Sequence, residues 1–504
     1  MTPENKRKWA IRFLVMLVLF LGVIGWVGLN AKPRGTEEIE NSREVSFVVG
    51  DFRGGLPDYI GSRNRRRRKG VTATANAGVL LVHAVGPESI CPQNPKALLS
   101  ELGISEKSGR QRYFVELGRF LKHPDLKLGD RATRIHEKFL KDIFSGSFKA
   151  AVYPNVVDWL TLNKRQLKLL QDASTKPHLY LPWIGEQPKM QGIGDAALAF
   201  ACRAMISLER GNVDAAIADA QTLFRFGRLI GKSADCVVVY LTGVTIHAFG
   251  SMVIGQVSKS PKLQESHQKQ LSAIFEDHQF PAIDEVVGYG ERIINLSAGI
   301  GMVQLKSDGR HTLGPHKIEP MQADVNSMLR QVNVWYDKLT EATNNDTFEK
   351  RRDAIKGVKY DLEAITDAMN QYEEGFFGRV QFTFMSSRGK SQRLGKLAAN
   401  MIMKRMMPDI ERLDAARSTA IARSRLAQLG SFVAIYRSKH GKPPESLDKL
   451  TPNLLTSIPN DPFVEKPFIY QVSGSGCTIY SVGRNQKDDD AADKSDIVFT
   501  LPAK

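Results

Sequence analysis

The sequence predicts a mostly α-helical protein on a transmembrane anchor, closed by a small C-terminal α+β module. Three observations predict it. An uncharged run near the N-terminus is long enough to cross a bilayer. Apolar residues then recur at helical spacing through most of the chain, and beyond residue 409 one long helical run gives way to short alternating segments broken by Gly and Pro. At 504 residues the chain exceeds a single ordinary core. Four parts are expected: a cytoplasmic tip and anchor over 1–30, a basic flexible tether over 31–74, an α-helical domain over 75–408 and the module over 409–504. The formal net charge of +16 favours acidic partners such as anionic lipid, nucleic acid or envelope polyanions.

The anchor is Phe13 to Leu29, bracketed by Arg12 and Lys32. At about 1.5 Å per residue it spans most of a hydrocarbon core of about 30 Å. Trp9 and Trp26 suit the two interfaces, and Lys6, Arg7, Lys8 and Arg12 before the run point to a cytoplasmic N-terminus. A cleaved signal peptide is disfavoured, because Leu29–Ala31 is a poor small-x-small cleavage site. The expected location is therefore the cytoplasmic (inner) membrane, single-pass, with the bulk of the chain extracytoplasmic.

The tether ends in Arg63, Arg65, Arg66, Arg67, Arg68 and Lys69, a candidate polyanion-binding cluster. Each cation near an anionic surface contributes about 1 kcal/mol. No aromatics interleave with it to stack bases, so nucleic acid is disfavoured as a partner.

Asp195 to Lys232 reads as two helices around a turn at Arg210-Gly211-Asn212, with small residues where they cross. This hairpin resembles a tetratricopeptide repeat over little more than one copy, and such surfaces usually bind proteins. Cys236 to Val257 is apolar and long enough to span a membrane, but polar side chains surround it, so a buried core helix is expected with His247 inside. Val325, Met328, Leu329, Val332, Tyr336 and Leu339 form one stripe. Ile355, Val358, Leu362, Ile365, Met369 and Tyr372 form another, and the two helices are expected to pair as an antiparallel hairpin. His311 and His316 fall in a loop with no acid or Cys to complete a metal set.

The four cysteines, Cys91, Cys202, Cys236 and Cys477, form no C-x-x-C pair. Their even number permits disulfides, and Cys202 with Cys236 is the favoured pairing because nearby helices carry them. No G-x-S-x-G, P-loop or H-E-x-x-H occurs, and no carboxylate is marked out by an apolar run. No catalytic residue is assigned.

In the module, Leu426, Leu429, Phe432, Val433 and Tyr436 give a helix ended by Gly441 and Pro443-Pro444. Phe468, Tyr470 and Val472 alternate, as do Thr478, Tyr480 and Val482, around Ser473–Gly476, and Asp496 to Leu501 offers a third strand. The intervening loop carries Asn485, Asp488, Asp489, Asp490, Asp493 and Asp496, closely spaced oxygens of the kind a hard cation takes.

These residues carry a resemblance. Gly441-Lys-Pro-Pro444, Asn460-Asp-Pro-Phe463, Pro467-Phe-Ile-Tyr470 and Tyr480-Ser-Val-Gly483 with Ser495-Asp496-Ile497 resemble the C-terminal half of the type II secretion major pseudopilin, over about 95 residues. The resemblance implies a helix on a small sheet and a calcium-holding loop. The ligands it implies are the Val482 carbonyl with Asn485, Asp488, Asp490, Asp493 and Asp496. The N-terminal prepilin signal of that family is missing, so a pilus subunit is not implied. The whole chain resembles membrane-anchored proteins of planctomycete type that pair a helical region with this tail, a resemblance that implies no activity. The expectation is a non-enzymatic envelope scaffold or binding protein that meets other envelope proteins, near a secretion or pilus-like machine. The alternative is an envelope-polymer hydrolase with its site in the helical domain.

Overall fold

A computed structural model describes residue 16 and residues 38–105, 112–276, 280–304, 323–374, 380–382, 384–491 and 495–503. The expected anchor lies outside the described residues apart from Met16, and so does the loop with His311 and His316. The chain is mostly helical with a small C-terminal sheet, as expected. A short hairpin, β1 (Phe52–Arg53) and β2 (Leu56–Pro57), precedes α1 (Tyr59–Arg68) and α2 (Ala77–Val85). The next principal helices are α3 (Lys164–Ser174), α4 (Gln191–Glu209), α5 (Val213–Ser233), α6 (Val237–Lys259) and α7 (Gln268–Phe275). Then come α8 (Arg292–Gln304), α9 (Val325–Thr343), α10 (Phe348–Glu374), α11 (Ser387–Met406) and α12 (Ile410–His440). The strands β3 (Asn460–Asp461), β4 (Lys466–Pro467), β5 (Ile469–Ser473), β6 (Gly476–Ser481) and β7 (Ile497–Leu501) close the chain.

The chain divides into two compact units. The first holds the described parts of 1–62, 287–344 and 353–410. Its core is α9, whose predicted stripe of Val325, Met328, Leu329, Val332, Tyr336 and Leu339 is fully buried. The partner differs from the expected one: α9 packs chiefly on α11 and on α8, not on α10. Gly395 permits this, because a Cβ there would run into the Asp324 carbonyl. The buried Trp335 indole then donates to Asn400 Oδ1 at 2.8 Å across the crossing. Along α10 only part of the expected seam is covered: Ile355 and Leu362 are buried, while Ile365 is 41% exposed.

The same unit corrects the expectation of a flexible tether. Ile39, Val45 and Val48 are buried. Asn326 Nδ2 donates to the Glu38 carbonyl and its Oδ1 accepts from Glu40 N, both at 3.0 Å. Asn333 Nδ2 donates to the Glu44 and Val45 carbonyls. Two asparagines on α9 thus satisfy backbone groups of a segment that has no regular partner of its own, which holds it in place.

The second unit holds 63–286, 345–352 and 411–504. Its centre is the crossing of α5 and α6. Asn212 caps α5 by accepting from Ala215 N at 3.0 Å, and Gly211, at φ +72°, makes the turn out of α4 that the sequence predicts. Glycines let α5 and α6 approach closely: a Cβ on Gly243 would lie 2.7 Å from the Gly227 carbonyl, and one on Gly227 2.7 Å from His247 N. The crossing buries His247 edge-on to Phe224 and Phe280, as expected of a core histidine. The helix α6 is long and apolar enough to cross a membrane, yet 56% of its most apolar window is buried inside this unit. All four cysteines are buried free thiols, so the favoured Cys202–Cys236 bridge is not formed.

The C-terminal sheet is antiparallel in the order β5-β6-β7 and lies on α12. Phe499 seats on the helix at Gly430, where a Cβ would strike the ring. The pairings Tyr470 with Ile479 and Ile479 with Phe499 place Cys477, Ile479, Phe499 and Leu501 on the helix side. The expected alternation of Thr478, Tyr480 and Val482 is therefore the opposite face, and Tyr480 is buried there. Phe348 against Phe463, with ring centroids 4.8 Å apart, ties 345–352 to this part. So does the buried ion pair of Arg351 Nε with Asp414 Oδ1 at 3.0 Å.

Gly243→Ala should lower stability by about 1–3 kcal/mol, since the added methyl meets backbone that has nowhere to go. Gly255→Ala on the same helix, where nothing lies within 4 Å, should be neutral or stabilising. Thermal or denaturant melts of the two variants check the difference.

Candidate binding grooves and the acid-rich loop

The loop between β6 and β7 starts at Gly483, in the left-handed region at φ +62°. A Cβ there would collide with the Ser495 carbonyl, so the two ends of the loop meet backbone to backbone. Tyr480 Oη donates to Asp488 Oδ1 at 2.9 Å. Burial, that hydrogen bond and the charges of Asp488, Asp490 and Asp496 push the phenol up to about 12. Three of the predicted carboxylates therefore act on one phenol. Asn485 donates to Asp489 Oδ2 at 2.7 Å and accepts from Lys487 N, while Asp488 Oδ1 also accepts from Asp490 N. Asp496 is buried at the loop's end, and Asp493 lies outside the described residues. The donors are all hard oxygens, the chemistry calcium requires. Among the described residues no three His, Cys, Asp or Glu side chains stand close enough to hold a metal ion as placed.

A groove of about 900 Å³ runs beside this loop. One wall is six consecutive residues, Ser495 to Thr500, with no contribution from β6, so the groove follows the outer edge of β7. Among the described residues that strand pairs on one side only, and Val498 and Thr500 are exposed. The other wall is α6 and the floor is α12. Lys259, Arg423 and Arg484 line it against the single carboxylate of Asp496, and Arg484 is already paired with Glu411 at 2.7 Å. A strand edge facing a helix across an open, net-basic groove was not legible in the sequence.

The basic cluster is a correction. Residues 59–68 form α1, and part of its charge is met by acids of the second unit. Arg63 is buried, pairs with Asp235 and donates to the Leu181 carbonyl at 2.7 Å. Arg67 donates to the Ala234 carbonyl and stands 3.6 Å from Asp235. Arg66 pairs with Glu285 at 2.6 Å and Arg68 stands 3.7 Å from Glu101. Arg65 and Lys69 are exposed on the same stretch. Three neighbouring acids, Asp235, Glu285 and Glu101, thus offset part of the charge of the six cations and lower the net field they present to a polyanion.

One acid cluster was missed by sequence reading. Burial first, and the charge of Glu116 second, push Asp195 at the start of α4 up to about 6. Tyr113, raised by burial and by Glu88, lies with its ring against Gly86, where a Cβ would sit 3.0 Å away. These residues come from three separate segments, so no local motif marks them. Asp195 and Glu116 have no histidine or nucleophile joined to them by any hydrogen bond among the described residues.

No protein-family model, curated protein or solved structure matches this chain.

Folding raises the proton affinity of Asp195, so its contribution to stability depends on pH. Its carboxyl titrates near 6 when folded and near 3.9 when unfolded, so the protonated form stabilises the fold below about pH 4, and that contribution is lost as pH rises through 6. Asp195→Asn should therefore raise the melting temperature relative to the parent at pH 7–8 and change it little at pH 4, as paired melts across that range would read.

Proposed function

We propose that this chain is a non-enzymatic, membrane-anchored binding protein of the cell envelope, which holds an extended, acidic segment of a partner protein along the outer edge of β7. The observation that carries this reading is the groove in which the unpaired edge of β7 faces α6. A strand added to a sheet edge gains main-chain hydrogen bonds, and the flanking helix supplies side-chain contacts for selectivity. Lys259 and Arg423 give the groove the charge that an acidic segment complements. The anchor at Phe13–Leu29, with its basic N-terminal flank, supports a single-pass protein of the cytoplasmic membrane with the grooves on the extracytoplasmic side.

The long helix α12 under a three-stranded antiparallel sheet, with an acid-rich loop before the last strand, supports the likeness to the C-terminal half of the major pseudopilin. In this reading the protein works near a secretion or pilus-like machine. The Val482 carbonyl with Asn485, Asp488, Asp490, Asp493 and Asp496 would hold a calcium ion, which would neutralise the acids gathered about Tyr480 and staple the loop to the sheet.

A photo-crosslinking residue at position 498 should capture one discrete envelope partner in cells, and Arg423→Glu should weaken that capture while leaving the melting temperature unchanged. Crosslinks that are absent, or indifferent to the charge reversal, would refute the groove as the docking site. Removing calcium with a chelator should lower the melting temperature of the full-length chain in detergent by several degrees, and Asp488→Asn with Asp490→Asn should erase that response. A melt insensitive to chelator sinks the staple.

A further inference from the structure

A second groove, of about 730 Å³, lies elsewhere in the same unit, between α7, α12 and the segment 454–459. From α12 come Arg417, Ile421, Arg425, Gln428 and Phe432, spaced three and four apart, so one face of the long helix forms its floor. Two arginines on that floor are held in an unusual way. Arg417 Nε donates to the Pro281 carbonyl at 3.0 Å, and Arg425 Nη1 donates to the Asn460 carbonyl at 2.6 Å. Neither forms an ion pair among the described residues. The acid nearest Arg417 on its own helix, Asp414, is paired with Arg351 instead. Asp461 and Glu465 act on Arg425 only at longer range.

A guanidinium has five N–H donors and no acceptor. Backbone carbonyls fix these two groups in place, while Arg417 also donates to the Tyr240 side chain and Asp414 acts on it at longer range. Neither guanidinium is closed by a paired carboxylate among the described residues, so donors remain for another partner. The opposing walls carry hydroxyls from Ser272, Thr456 and Ser457, and Glu276 is the single carboxylate among the described residues that line the groove. Positions 417 and 425 are about 12 Å apart along the helix. Their charges act on one another across the groove floor, and a chain with repeated acid groups can meet both.

We propose that this groove binds an acidic oligosaccharide, with Arg417 and Arg425 each taking an anionic group from successive or alternate sugar units and the wall hydroxyls meeting sugar hydroxyls. The ligand's acid is a carboxylate or a sulfate, both flat or forked oxyanions that a guanidinium grips through two parallel hydrogen bonds. The proposal is independent of the β7 groove, which shares none of these residues.

The test is calorimetric titration of the full-length protein in detergent with three probes: a tetragalacturonate, a heparin-derived tetrasaccharide and uncharged cellotetraose. Binding of a charged tetramer is expected, with cellotetraose at least tenfold weaker, and the two charged arms tell carboxylate from sulfate. Arg417→Gln and Arg425→Gln should each weaken binding about tenfold or more, and the double variant should abolish it. Should an arginine variant melt early, Thr456→Trp, which fills the groove without touching either guanidinium's carbonyl partner, should abolish binding in its place. No binding of either charged tetramer, equal binding of cellotetraose, or binding unchanged by these substitutions overturns the proposal.

Discussion

The close approach of α5 and α6 is the constraint on which the second unit rests. Gly227 and Gly243 face each other with no room for a methyl group on either, and a Cβ on Gly250 would lie 2.9 Å from the Phe224 ring. Because the backbones approach so nearly, side chains that would otherwise separate the helices are displaced to the flanks. There Phe224, His247, Phe275 and Phe280 pack edge to face into one aromatic cluster. Dispersion and burial at this density make the crossing rigid. It is the rigidity of α6 that gives the β7 groove a fixed wall.

Charge is handled in the same economical way. The net charge of +16 invites a search for a polyanion-binding stripe, and the run of arginines before residue 70 is the obvious candidate. Folding instead places Asp235, Glu285 and Glu101 around α1, and carbonyls of Leu181 and Ala234 complete the bonding of Arg63 and Arg67. Arg351 is buried with Asp414, and Arg203 binds Asp219 through two nitrogens. Against this background of paired cations, Arg417, Arg425 and Arg423 differ because they line grooves and form no ion pair among the described residues. Removal of charge from water without compensation costs free energy, and burial accordingly lowers the pKa of Arg423 and Arg425.

Much of the local structure was legible. The turn at Arg210–Asn212, the stripe from Val325 to Leu339, the helix through Val433 and the three C-terminal strands follow from apolar spacing, Gly and Pro, which act over a few residues. The pairing of α9 with α11 was not, because an amphipathic stripe states that a helix needs a partner and not which one. Gly395, which admits the crossing, lies about 70 residues from the stripe it serves. Likewise Val472 continues the predicted alternation but is 46% exposed, while Tyr480 is buried by a loop rather than by a helix. Period alone does not say which face a covering segment will choose.

What the sequence by itself determined is therefore the local content: a helical chain with an apolar run near its N-terminus, a C-terminal change to short strands, and an acid-rich loop before the last of them. These follow from interactions between residues a few positions apart. Only the tertiary structure decided where charge is left over and where a backbone edge is left open. Both depend on which distant groups arrive beside a given side chain: Asp235 beside Arg63, a carbonyl rather than a carboxylate beside Arg425, and α6 rather than a fourth strand opposite β7. Electrostatic compensation and strand pairing are set by neighbours in space, and no periodicity in the chain encodes them.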